Sequence, residues 1–586
     1  MKHRTSAFAA LCAAALTVSA CSGGSSGGAA TSGGGGGGGA TENAGVGKVY
    51  NASDATGGTI RFAISEDWDS VDPGDTYYGL SWNFLRNYAR TLVVFKADAG
   101  EPKLVPDLAK ELGKPSNDAK TWTYTLRDGL KYEDGTPITS KDIKYAVARQ
   151  LDKTTFPNGP TYFNDMLANV PKGYSVYQNK DLAALKAIET PDDKTIVFQL
   201  TKPFAGFDYI AQLPATAPVP QAKDTGAKYK TKVVSSGPYK FESYEAKKRY
   251  VLVKNENYDP KTDPDSGRKQ LADKLTVDLG VNAADLDQQL QAGTLDVDLA
   301  GTGVQAQTQA QILANADLKR NTDLALAART WFAVIPSGVA PMDNVECRKA
   351  VLYAYSAEGY QRAYGGSTGG DIATSLLPTM IPGHADYDPY GKKAKPQGDP
   401  EKAKEALAKC GKPTGFSTNI AFRADRPKEK ATAEALQQSL KTVGIQTELK
   451  GYPTGDYFKL YAGKPDFVKK NNLGILIYGW AADWPDGFGF LSQIVDSRTI
   501  RPAGNTNLGI VIPQVDAMID KALVTTDEAA RNTLWGDIDK MVIDQAAVIP
   551  GVWSKGLVYR PPYLTNVFVN NAYGQYDFAT LGTTKK

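Results

Sequence analysis

The chain has 586 residues, with 67 lysines and arginines against 64 aspartates and glutamates, a net charge of +3. That balance supplies no surplus of Lys and Arg for a phosphate backbone, which argues against nucleic acid as a partner. A chain of this length is too long for a single core, so two or three domains are expected.

Lys2, His3 and Arg4 form a short basic start, Ala7 to Val18 is a run of small and apolar residues, and Ser19 and Ala20 precede Cys21. The run is shorter than the ~20 residues a membrane span needs, so it reads as a secretory signal over 1–20. Val18-Ser19-Ala20-Cys21 resembles a lipobox, which implies cleavage before Cys21 and acylation on it; the alternative is an ordinary signal with an incidental cysteine. Residues 21–59 contain seven consecutive glycines, Gly33 to Gly39, among Ser, Ala and Thr. Such a composition cannot bury a core and predicts a flexible linker.

Thr59 to Ser65 predicts a first strand, Ser70 to Asp75 a turn and Leu80 to Thr91 a helix. Between Thr121 and Leu151, Trp122, Tyr124 and Leu126 alternate with polar residues, the period of a half-buried strand. Asp128-Gly129 and Asp134-Gly135 are turn dipeptides. Thr139 stands three residues before Asp142, a capping-box start, and Ile143, Ala146, Val147, Gln150 and Leu151 follow at helical spacing. Further helices are predicted at Ala283–Ala292, Glu346–Tyr360, Pro400–Lys409, Lys428–Val443 and Glu528–Gln545, and buried strands at Ile475–Tyr478 and Ala547–Val552. The class is mixed α and β.

Catalytic and cofactor signatures are missing. The two histidines are His3, in the signal, and His384, in a Pro/Gly loop that reads as surface. No G-x-S-x-G, Walker A loop or strand-borne G-x-G-x-x-G occurs, and no CxxC or HExxH metal pattern. Asp192-Asp193 reads as a solvated turn. An enzyme, a cofactor and a metal site are therefore not expected. The chain is instead rich in aromatics, 30 Tyr, 8 Trp and 19 Phe, the residue types that line binding clefts.

The order Trp122-x-Tyr124-x-Leu126-Arg127-Asp128-Gly129, then Asp134-Gly135-Thr136-Pro137 and Asp142, resembles the signature of family 5 extracytoplasmic solute-binding proteins, the oligopeptide- and dipeptide-binding lipoproteins of bacterial ABC importers. The likeness continues through Leu104 to Ala109, Thr195 to Phe204, Gly237 to Phe241, Asn255 to Tyr258, Gln291 to Asp296, Val345 to Ala350 and Tyr478 to Asp486. Tyr355-Ser356-Ala357 departs from the family's usual Ile-Asp-Arg. The resemblance implies an α/β, two-lobed periplasmic-binding-protein-like fold (type II, cluster C) with a subdomain inserted in the first lobe. The implied boundaries are 60–90, 205–325 and 558–586 for the first lobe, 91–204 for the insertion and 326–557 for the second lobe. Hinge crossings are implied at Trp331–Val334 and Ser554–Val558.

It also implies the function and the site. The function would be a monomeric receptor, lipid-anchored on the outer face of the cell membrane, that captures peptides between its lobes and delivers them to an ABC permease. The same fold could instead serve an oligosaccharide, a nickel complex or another small solute. A secreted hydrolase is the reading from a different class. Asp483, within Gly479-Trp480-Ala481-Ala482-Asp483-Trp484, matches the family's amine-binding aspartate; the alternative is a helix cap ahead of Pro485. Trp480 would line a side-chain pocket or pack in the core, with Gly479 and Trp484 beside it. Trp68 and Asp69, Tyr162 and Trp553 are further ligand-contact candidates by rough alignment. Cys347 and Cys410 are the only cysteines of the folded part, and the secreted context permits a disulfide between them; two unrelated buried thiols are the alternative.

Overall fold

The computed structural model describes residues 41–585 except 180, 205 and 526. The expected signal, the lipobox with Cys21 and the glycine run lie outside the described residues.

The first lobe is built on a five-stranded sheet in the order Val297–Asp298, Thr59–Ala63, Lys274–Asp278, Arg249–Lys254, Tyr239–Glu245. Thr59–Ala63 runs parallel to both of its neighbours and buries Ile60 and Phe62 completely. A four-stranded antiparallel sheet, Lys114–Ser116, Thr121–Thr125, Thr195–Gln199, Ile188–Glu189, forms the insertion. Its inward residues are the alternating Trp122 and Tyr124 against Ile196 and Phe198. Gly129 and Gly135, at φ 79° and 83°, make the two turns, where a side chain would be strained. The helix Ser140–Gln150 then starts on a reciprocal Thr139–Asp142 capping box.

The second lobe is a six-stranded mixed sheet in the order Gly370–Ile372, Val548–Tyr559, Thr322–Val334, Ile475–Ala481, Ser417–Arg423, Gln446–Tyr452. Helices Val345–Ala354 and Pro400–Lys409 pack on each other, and Pro427–Lys441 packs on the strands Ser417–Arg423 and Gln446–Tyr452. Cys347 and Cys410 are bonded to one another, Cα atoms 5.3 Å apart, joining the first two of these helices. Tyr355 ends its helix early: the run expected to reach Tyr360 breaks at Tyr355-Ser356, and Ser356 caps a second helix, Ala357–Ala363.

Thr322–Val334 and Val548–Tyr559 are long enough to serve both lobes. Thr322–Leu326 pairs with Lys555–Tyr559, and Leu557 and Tyr559 pack into a cluster with Ala63, Leu286 and Leu290 of the first lobe. The ladder then breaks between Leu326 and Thr330, where Ala327, Ala328 and Arg329 face the single residue Ser554, and resumes in the second lobe. The crossing on this strand therefore precedes the expected Trp331–Val334, which is already paired to Leu476–Gly479.

The linker also ends earlier than expected. Residues 41–58 are a strap on the first lobe rather than free coil. Tyr50 and Val567 exchange backbone hydrogen bonds of 2.8 and 3.1 Å, and Asn43 N–H donates to the Thr322 carbonyl at 2.8 Å. Arg560 lies over the Tyr50 ring and donates to the Thr41 carbonyl at 2.9 Å. Composition missed these partners because all of them are remote in sequence.

Candidate functional site

The lobes line a cleft whose walls carry opposite charges at two corners. A side chamber shares Ala300, Thr302, Trp331 and Arg426 with it.

One corner holds Asp483, just past the edge of the Ile475–Ala481 strand. Two tyrosines donate to it from opposite sides of the cleft wall, Tyr77 from the cleft and Tyr162 of the insertion from behind: the Tyr77 hydroxyl donates to Oδ2 at 2.7 Å and the Tyr162 hydroxyl at 2.6 Å. Oδ1 accepts no hydrogen bond from the described residues. Burial pushes the Asp483 carboxyl up to about 7, against the two hydroxyls that pull it down. Both tyrosines are held well above the ordinary phenol value, by burial first and by the Asp483 charge second, so they stay protonated donors. The cap reading of Asp483 is corrected: the helix Gly487–Val495 is capped by Asp486, which accepts from Gly489 N–H at 2.7 Å.

The other predicted site residues separate into wall and support. Trp480 lines the cleft, edge-on to the Tyr77 ring at 5.3 Å, while Tyr77 stacks on Trp82 at 5.6 Å. Gly479 lines it too, but a Cβ there would stand 2.2 Å from the Trp331 indole, so close packing of that ring accounts for the glycine. Asp69 lines the cleft and holds the Tyr77 loop, accepting from Tyr77 N–H at 2.6 Å and from the Thr76 and Ser81 hydroxyls at 2.9 Å. Burial raises its carboxyl to about 6. Tyr162 is buried behind Asp483 rather than lining the main cleft.

Three further candidates do not line the cleft. Trp484 is buried behind Tyr162, 5.0 Å away, and stacks on Tyr209 at 5.6 Å. Trp68 is in the first-lobe core against Phe84 and Tyr250. Trp553, in the Val548–Tyr559 strand, meets the edge of His384 at 4.8 Å. That half-buried His384 has Nδ1 2.7 Å from the Leu377 carbonyl, so it is fixed in place rather than a loose surface histidine. In each case an apolar ring found neighbours remote in the sequence.

The second corner was not anticipated. Arg329, Arg423 and Arg426 all line the cleft. Arg423 is paired with Glu429, with Nε–Oε1 at 2.8 Å and a second bond from its Nη2. Arg426 reaches across to Glu66 of the first lobe through two bonds. Among the described residues Arg329 makes no ion pair with a carboxylate, and it lies over the Trp331 ring, 5.1 Å from its centroid. Burial, and then the charges of Arg426 and Arg423, depress its guanidinium to about 10. The available signal was an arginine closing an apolar strand, as in Ile420-Ala421-Phe422-Arg423, or opening one, as in Arg329-Thr330-Trp331-Phe332. A charge beside so much buried surface needs a partner.

Among the described residues no helix is long and apolar enough to cross a membrane and no acid, His and Cys grouping could hold a metal ion.

The comparisons agree with this architecture. Residues 103–501 match the family described as bacterial extracellular solute-binding proteins, family 5. Heme-binding protein A of Haemophilus influenzae is 29% identical over 519 residues, 83% of this chain and 85% of that one. Oligopeptide-binding protein OppA of Bacillus subtilis is 24% identical over 540 residues, 88% and 92% of the two chains. Among solved structures, clavulanic acid biosynthesis oligopeptide binding protein 2 superposes with a TM-score of 0.83 at 39% identity, covering 93% of this chain and 99% of that one. OppA of Haemophilus influenzae, in complex with the peptide RPPGFSPFR, superposes at 0.75 with 20% identity, over 91% and 100%. With a family match over well over half its length, this chain belongs to the family 5 bacterial extracellular solute-binding proteins.

Proposed function

We propose that the chain is a receptor, anchored through a lipid on Cys21 to the outer face of the cell membrane, that captures peptides in the interlobe cleft and delivers them to an ABC import permease. It acts as a monomer and breaks no bond. The observation that carries the reading is Asp483: a cleft carboxylate held by two hydroxyls on one oxygen, with Oδ1 open to a donor. A peptide α-ammonium supplies that donor, and closure around it removes water from the charge pair. Lobe rotation about the two crossing strands would open and close the site. Relatives named for oligopeptides support the cargo class.

The test is calorimetric titration of wild type and Asp483→Asn with tripeptides and their N-acetylated forms. Loss of one partner of a buried charge pair predicts a fall of about a hundredfold or more for free peptides only. Equal affinities in both proteins, with acetylated peptides binding as tightly as free ones, would turn the reading toward an uncharged solute such as an oligosaccharide. For the anchor, Cys21→Ser should leave the protein uncleaved or released to the medium. Unaltered membrane attachment and processing in that variant would refute lipidation.

A further inference from the structure

The hydrogen bonds at Asp483 join parts of the molecule that meet when the cleft is shut. Asp483 follows the second-lobe strand Ile475–Ala481. Tyr77 precedes the first-lobe helix Gly79–Leu85, and Tyr162 opens a short helix of the insertion, Tyr162–Met166. Both hydroxyls donate to the same oxygen, at 2.7 and 2.6 Å. Tyr162 in turn accepts from the Ser492 hydroxyl at 3.3 Å, which leaves its own proton for Asp483.

Closure thus buries the carboxyl against neutral groups and brings it no countercharge. Four cations lie around this corner, and each is directed elsewhere. Arg501, which faces Tyr77, donates to the Gly504 carbonyl at 3.0 and 2.7 Å and to the Gly159 carbonyl at 3.2 Å. Lys153 donates to the Asn158 carbonyl at 3.2 Å, Arg531 to the Thr525 carbonyl at 3.1 Å, and Arg329 lies over Trp331. The other carboxylates facing this corner are Asp69, Asp165 and Asp486, which accept from Tyr77 N–H, the Thr161 hydroxyl and Gly489 N–H. They add negative charge. A buried carboxylate so placed is relieved by a proton, or by an ammonium set against Oδ1.

We propose that Asp483 gates closure: the empty lobes shut when a proton neutralises Asp483, and at neutral pH and above shutting is reserved for cargo whose ammonium takes the proton's place. The proposal rests on the ammonium reading of Asp483 and adds a control on the empty receptor. Shutting the empty cleft takes one proton from solvent onto an Asp483 oxygen. A cargo ammonium arriving at the protonated site returns that proton to solvent, and only this O–H bond forms or breaks. With the lobes apart, Asp483 is solvated and its carboxyl has the ordinary value near 3.8; with them shut, burial holds it at about 7. The shut state therefore binds the proton more tightly. Its ratio to the open state rises about tenfold for each pH unit lost between about 7 and 4.

The experiment is small-angle X-ray scattering of the chain from residue 21, carrying Cys21→Ser to keep it free of lipid and refolded to strip any cargo, at pH 8 and pH 5. With Asp483 in place, the protein should be more open at pH 8. At pH 5 it should move toward the compact curve calculated from this structure, the closed-to-open ratio rising about a hundredfold. Asp483→Asn is neutral at every pH. It should give one mixture at both pH values, at least as closed as the parent at pH 8, and Asp483→Ser, a second neutral variant, should do the same. A parent protein equally open, or equally closed, at both pH values overturns the proposal. So does a pH response that persists in the two variants, which would belong to Asp69 or Asp165. No peptide enters this test, so it is read apart from the calorimetry. Peptide capture without a pH response removes the gate alone, and a pH response without peptide capture removes the peptide alone.

Discussion

The two charged corners of the cleft solve the same problem in opposite ways. At one, a single carboxylate is met only by neutral hydroxyls, which offset in part the burial that raises its carboxyl to about 7. At the other, guanidiniums are met by full countercharges, Glu429 and Glu66. Neutral donors leave a group able to titrate and to accept a new partner; countercharges fix a group in place. The first corner is therefore built to change state on binding, and the paired arginines are built to hold a wall.

The sharpest break in that contrast is Glu429→Gln. It strips Arg423, which is 2% exposed, of its countercharge, and a buried pair broken on one side costs about 3–5 kcal/mol. Urea unfolding should give that loss with little change in slope; a loss below about 1 kcal/mol would mean the pair behaves as a surface pair.

A smaller effect is expected in the pH dependence of Asp483. Its folded pKa, about 7, lies above the usual carboxylate value near 3.8. The folded state therefore holds a proton that the unfolded chain has released, and the contribution to stability is greatest below about pH 4 and lost as pH rises through about 7. Ligand-free wild type should lose about 1–2 kcal/mol between pH 5 and pH 8 relative to Asp483→Asn, after allowance for partial exposure. Parallel stability profiles for the two proteins would mean that Asp483 titrates as a free side chain.

The removal of one hydroxyl is read in affinity rather than in stability. Tyr77→Phe or Tyr162→Phe leaves Asp483 with a single donor, and a hydrogen bond to a charged group contributes about 1.5–3 kcal/mol. Peptide affinity should fall about tenfold or somewhat more, with Tyr162→Phe also losing its contact with the Ser492 hydroxyl, 3.3 Å away. Unchanged affinity in both would detach the tyrosines from capture.

What could be read beforehand divides along the range of the interactions. The strand, two turns and capped helix between Thr121 and Gln150 depend on neighbours a few residues apart, so alternation, glycine and capping chemistry expose them directly. Asp483 was legible because the Gly479–Asp483 block keeps its local order. Its donors were not: Tyr77 and Tyr162 lie 406 and 321 residues away, and no local pattern distinguishes a tyrosine that crosses a cleft from one in a core. Trp68 and Trp553 illustrate the converse error, aromatic residues near the right segments whose rings turn inward. Arg329 became meaningful only when Glu429 and Glu66 were found to be occupied elsewhere, which is a property of three-dimensional pairing.

The strap has a consequence for the order in which the molecule can assemble. Residues 330–553 supply every strand and covering helix of the second lobe as one continuous stretch, so that lobe can form from chain already at hand. The first lobe has no such freedom. Its opening segment is fastened to residues some five hundred positions later, as when Asn51 donates to the Leu564 carbonyl across a separation of 513. Closing contacts that remote is the slowest part of building a fold. The lobe that begins the sequence is therefore the one finished last, and until its late segment arrives, the strap has nothing to fasten to.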